Sequence, residues 1–122
     1  MGHKILIIDD DEDIADNIQT MLTYEGFEVI IANHVKEGLE IIKNVKPELV
    51  LLDIMFPESK TLGFEAAMDI KKLRPELPVF AFSAINREYA FDFQKEDAHV
   101  EEFLVKPVDS KSLVKLINKY LE

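Results

Sequence analysis

The sequence predicts an α/β domain of five successive strand–helix units, (βα)5, wound around a parallel sheet. Two observations carry this. Short apolar runs rich in Ile, Val, Leu and Phe recur at 5–8, 27–32, 49–52, 79–82 and 103–105. Such near-continuous runs suit strands buried on both faces, as in a parallel sheet. Between them, apolar residues mostly recur with helical spacing. Right-handed crossovers then place helices on both faces, which makes the sheet open and doubly wound.

The elements follow in order. The run "ILII" is the first strand, and Ile14, Ile18, Met21 and Leu22 form an i, i+4, i+7, i+8 stripe on the first helix. Gly26 stands where that helix should stop. After the run at 27–32, Val35, Leu39 and Ile42 mark a second helix. "LVLLD" is the third strand, and Phe64, Ala67 and Met68 mark the third helix. "VFAFS" is the fourth strand. The stretch after it, "NREYAFDFQKED", should be a fourth helix, yet Tyr89, Phe91 and Phe93 alternate with the period of a strand. These aromatics are expected to be partly core. "FLVK" is the fifth strand, and Leu113, Leu116, Ile117 and Tyr120 form the fifth helix, with Asp109 or Ser110 as its cap after Pro107. No linker, repeat or low-complexity stretch interrupts the pattern, so residues 1–122 read as a single domain.

Composition narrows the function. The chain is 48% hydrophobic and 31% charged, as globular domains are. Its 24 acids against 14 bases give a net charge of −10, which argues against direct nucleic-acid binding. Without cysteine there is no disulfide, thiolate metal site or thiol nucleophile. No apolar run approaches the ~20 residues of a membrane span, and "MGHKILII" lacks a signal-peptide layout. The expectation is a cytoplasmic protein with no membrane contact.

In open α/β sheets, ligands bind beyond the carboxyl ends of the strands, near the point where the strand order reverses. Asp9 and Asp10 follow the first strand, Asp53 the third, Ser83 the fourth and Lys106 the fifth. Three carboxylates, a hydroxyl and an ammonium on one rim make a hard-oxygen site. It suits Mg²⁺, which favours one or two carboxylates, waters and a phosphate oxygen. Asp11, Glu12 and Asp13 are expected only to start the first helix, where acids are favoured. An EF-hand reading of the acidic run fails, because its sixth position is Ile14 and its twelfth is Thr20. No P-loop, G-x-S-x-G or G-x-G-x-x-G occurs. His3, His34 and His99 are scattered without ligand spacing and read as surface residues.

The ordered set "DD" after strand one, "DIMFP" after strand three, "SA" after strand four and "KP" after strand five resembles the receiver domain of bacterial response regulators, from about Lys4 to Leu121. The resemblance implies a flavodoxin-like parallel sheet of order 2-1-3-4-5. It implies that Asp53 accepts a phosphoryl group from a histidine kinase or phosphotransfer protein. Asp10, Asp53 and the Met55 backbone carbonyl would ligate Mg²⁺ (or Mn²⁺ in its place), with Asp9 acting through a bound water. Lys106 would pair with the phosphoryl group and Ser83 would hydrogen-bond it, with small Ala84 leaving room. Phe103 would be an aromatic switch, and Lys106–Pro107 a cis peptide. Output would pass through the face of the fourth helix, fifth strand and fifth helix to a partner, an output domain or a second copy. The chain would catalyse only its own phosphorylation and dephosphorylation.

Three features depart from the family pattern. Gly63 lies six residues after Pro57, a two-residue insertion beside the site. His99 stands where glycine is common, and the fourth helix is rich in aromatics. Two other functions compete: a Mg²⁺-dependent phosphatase of the haloacid-dehalogenase type, whose D-x-D Asp9 and Asp11 mimic, and a pseudo-receiver that keeps only protein contacts. A phosphatase needs a cap or substrate pocket for which 122 residues leave little room. The intact Asp, Ser and Lys set argues against a pseudo-receiver.

Overall fold

Successive side chains on a strand point to opposite faces of its sheet, so an all-apolar strand needs cover on both sides. The computed structural model describes residues 2–53, 62–83, 100–105 and 109–121, with backbone alone at 62–64, 83 and 105. The strands are β1 (Lys4–Ile8), β2 (Glu28–Ala32), β3 (Leu49–Asp53), β4 (Val79–Ser83) and β5 (Glu102–Val105). They form one parallel sheet of order β2-β1-β3-β4-β5. The described helices are α1 (Glu12–Tyr24), α2 (Val35–Asn44), α3 (Leu62–Leu73) and α4 (Ser110–Leu121). Helix α4 is the fifth helix of the sequence pattern. The expected fourth helix, with Tyr89, Phe91, Phe93 and His99, lies outside the described residues.

Strand parity sorts the core into two halves. Leu6, Ile8, Val50, Leu52, Val79 and Ala81 pack with Ile42 of α2 and with Ala66, Ala67 and Ile70 of α3. Ile5, Ile7, Leu49, Leu51, Phe80 and Phe82 pack with Ala15 and Leu22 of α1 and with Leu113 and Ile117 of α4. The buried strands β1 and β3 are therefore clad on both faces, as their composition requires.

The helix ends follow local chemistry. Asp11 caps α1, its Oδ1 accepting the Ile14 N–H at 3.1 Å. At the other end Gly26, with φ of 97°, donates its N–H to Thr23, and the Phe27 N–H reaches Leu22. This is a Schellman stop, closed by contact between buried Phe27 and Leu22. Asp109, rather than Ser110, caps α4: its Oδ2 accepts both the Ser112 N–H and hydroxyl. Gly38 lets α2 approach β1 closely. A Cβ there would clash with Ile8 Cδ1, in a fully buried side chain beside Asp9.

Two expectations change. Met68 is 42% exposed, because the buried stripe of α3 runs through Ala66, Ala67 and Ile70, with Met68 turned about 100° beyond Ala67. Phe27 is buried but belongs to the helix stop, so β2 begins at Glu28. His3 lies at the surface as expected, with its Nδ1 2.7 Å from Glu48 Oε2. His34 is exposed as expected.

Polar contacts fasten the sheet where its strands begin. Lys71 Nζ donates to the Leu77 carbonyl and to both Glu101 carboxylate oxygens, each at 2.7 Å. Glu101 Oε1 also accepts the Val79 N–H. Tyr120 Oη donates to Glu102 Oε2 at 2.5 Å, and its ring packs edge-to-face with that of Phe80, the centroids 5.1 Å apart. Only the protonated phenol can donate that bond, so the Glu102 carboxylate pushes the Tyr120 pKa up to about 12. A raised folded-state pKa means that the bond stabilises fully below pH 10, the ordinary tyrosine value, and fades as pH climbs toward about 12. Urea-unfolding midpoints should show wild type above Tyr120→Phe at neutral pH, with the gap closing across that alkaline window.

Candidate functional site

Parallel pairing sets Ile8 against Leu52, so the residue after β1 falls level with Asp53, the last residue of β3. The next residues, Asp9 and Asp10, thereby meet Asp53. One carboxylate oxygen from each lies within 4.8 Å of the others. Asp9 is fully buried and Asp53 is 3% exposed, whereas Asp10 is half-buried. Asp10 also borders an open polar depression shared with Asp11, Glu12 and Asp13, which gives the cluster a solvent face.

Asp9 is held at three points. Its N–H donates to the Ala32 carbonyl at 3.0 Å, and its carbonyl accepts from Asn33 Nδ2 at 3.1 Å. Its Oδ1 accepts the Asp11 N–H at 2.9 Å. Asp11, one residue on from the rim, is exposed and turned to its capping role.

The donor set fits Mg²⁺. Mg–O distances near 2.0–2.1 Å put opposite ligand oxygens about 4.2 Å apart. A 4.8 Å cluster closes on such an ion with a small rotation, or with one carboxylate reaching it through water. Buried like charges repel, and a divalent cation offsets that repulsion.

The structure thus brings together Asp9, Asp10 and Asp53. Ser83 ends β4 on the same rim, with its backbone alone described. Phe103 is half-buried against the α2–α3 side of the core, opposite Ala81 in the sheet register. Lys106, Pro107, Met55, Ala84 and most of the Pro57–Gly63 insertion lie outside the described residues. Sequence reasoning missed Asn33. It follows β2 as the predicted site residues follow the other strands, so the strand-end rule extended to the second run would have found it.

Comparison with known proteins agrees with this geometry. The response regulator receiver domain family matches residues 5–118, and the chain belongs to that family, whose members act in two-component systems. It is 31% identical to the chemotaxis protein CheY of Thermotoga maritima, over 98% of both chains. It is 31% identical to the response regulator SaeR of Staphylococcus aureus, covering 96% of this chain but only 50% of SaeR. A CheY-like receiver domain protein from Methanospirillum hungatei superposes with a TM-score of 0.84 at 32% identity, covering 99% of this chain and 94% of that one. NtrX from Brucella abortus gives 0.86 at 33%, where this chain matches only 27% of the longer protein.

Metal binding to the native state alone should raise stability by roughly 2.7 kcal/mol at a hundredfold excess over Kd, or about 10 °C for a domain of this size. Asp10→Asn should lose most of that Mg²⁺-dependent gain and melt higher than wild type without metal, because one repelling charge is gone. Thermal melts with and without Mg²⁺ check both; an equal Mg²⁺ shift in the two proteins would place the ion elsewhere.

Proposed function

We propose that the chain is a phosphorylation-controlled signalling switch in which Asp53 accepts a phosphoryl group from the phosphohistidine of a kinase or phosphotransfer protein. The observation that carries this reading is the buried Asp53 carboxylate at the end of β3, clustered with Asp9 and Asp10. Its family membership supports the same chemistry.

A carboxylate is a weak nucleophile, so placement and charge neutralisation must do most of the catalysis. Asp10 and Asp53, with the Met55 carbonyl, would hold Mg²⁺ directly, and Asp9 would hold it through water. A bound Mg²⁺ neutralises charge on the transferring group. An Asp53 oxygen attacks phosphorus, the O–P bond forms as the N–P bond breaks, and the released imidazole takes up a proton. Lys106 would balance the phosphoryl charge from the other side, and Ser83 would donate a hydrogen bond to it. The phosphatase alternative needs Asp11 beside Asp9 as a working acid, but Asp11 caps α1.

The outcome is a change of surface rather than turnover of a separate substrate. Phe103 sits opposite Ala81, two residues before Ser83. Drawing Ser83 toward a phosphoryl oxygen would open space that the Phe103 ring fills, moving β5 and the helices beside it. An output partner, a fused domain or a second copy would read that face. The site of action would be the cytoplasm, and no helix among the described residues is long and apolar enough to cross a membrane.

Incubation with Mg²⁺ and acetyl phosphate should give one phosphoryl adduct by intact mass, absent in Asp53→Asn. An undiminished adduct in that variant would sink the assignment. With a beryllofluoride mimic, backbone NMR shifts should extend from the loops around Asp9, Asp10 and Asp53 into residues 86–120. Silence there would rule out this route to the surface.

A further inference from the structure

We propose that Asn33 is a positioning residue for the metal site: its side-chain amide fixes the peptide that joins Asp9 to Asp10. The bond runs from Asn33 Nδ2 to the Asp9 carbonyl at 3.1 Å. A carbonyl can only accept, so the amide NH₂ must face it. That carbonyl belongs to the peptide plane linking the two acids. Holding it sets ψ of Asp9 and φ of Asp10, and with them the direction in which the Asp10 carboxylate leaves the chain. The preceding peptide is held too, because the Asp9 N–H donates to Ala32. Consecutive residues at the end of β2 thus clamp the peptides on either side of Asp9.

Asn33 is itself braced. Its main-chain N–H donates to Glu37 Oε1 at 3.0 Å, one turn into α2. The brace leaves the side chain to serve the neighbouring loop. This matters most for Asp10, the half-buried member of the cluster, whose direction packing fixes less than it fixes fully buried Asp9. No charge of Asn33 is involved, so its effect passes through geometry alone.

The inference rests on the Asp9–Asp10–Asp53 cluster being a metal site, and the test separates the two claims. Mn²⁺ affinity is measured by electron paramagnetic resonance on wild type, Asp10→Asn, Asn33→Leu and Asn33→Ser, well below each melting temperature. Leu matches the bulk of Asn without a donor, and Ser stops short of the Asp9 carbonyl and stands in if the Leu variant does not fold. Loss of one hydrogen bond should weaken Mn²⁺ binding roughly three- to tenfold in the Asn33 variants. Glu37→Ala, which removes only the brace, should weaken it less. A merely structural Asn33 would lower the metal-free melting temperature and leave the Mn²⁺ Kd unchanged, which overturns the proposal while the metal site stands. Wild-type binding that Asp10→Asn does not reduce would overturn the metal site itself, and this inference with it.

Discussion

Everything at the rim depends on the register between β1 and β3. Ile8 opposite Leu52 is what lets Asp9 and Asp10 meet Asp53. The carboxylates cannot set this register themselves: at an effective dielectric near 20, two charges 4.8 Å apart repel by roughly 3 kcal/mol. What holds them is apolar. Ile5–Ile8 and Leu49–Leu52 are all essentially buried, and each such side chain stabilises the fold by about 1.5–3 kcal/mol relative to exposure. A slip of one residue would exchange the two faces of the strand against cores of different shape. The sheet therefore imposes proximity on groups that oppose it, and a cation is the natural relief.

The acidic run after β1 shows how the main chain assigns work to like residues. Asp9 turns inward and is tied on both sides of its backbone. Asp10 stays at the rim, and Asp11 turns to cap α1. Glu12 and Asp13 fill the first turn, where the helix dipole favours them. Because the Asp11 N–H also holds Asp9 Oδ1, the start of the helix and the carboxylate cluster form one unit.

Much of this could be read from the sequence, for physical reasons. Strand parity and turn chemistry are local, so the five runs, the Gly26 stop and the acidic helix start followed from spacing alone. The acids of the site followed from the strand-end rule, because charge makes them conspicuous. Asn33 was less conspicuous: the same rule reaches it after the second run, but an uncharged amide after an edge strand draws no attention beside the acids. Met68 misled because helical spacing finds a stripe without fixing its centre, and the alanines at 66 and 67 define the buried side. The surface contact of His3 with Glu48 was not legible, because the two are remote in sequence.

The two ends of the sheet do opposite things. At the carboxyl ends of the strands, like charges gather and backbone tethers hold them in place. At the amino ends, opposite charges and complementary hydrogen bonds join the elements. His3 pairs with Glu48 across the entries to β1 and β3, and holds the Glu48 carboxyl below its ordinary pKa. Arg74 donates to the Pro47 carbonyl, Lys71 joins α3 to Glu101, and Tyr120 joins α4 to Glu102. On the proposed function, a rim that takes up a cation and a phosphoryl group gains from a sheet fastened at its other end. Fastening the strands at their starts would then let their ends rearrange around a new ligand without loosening the sheet that aligns them.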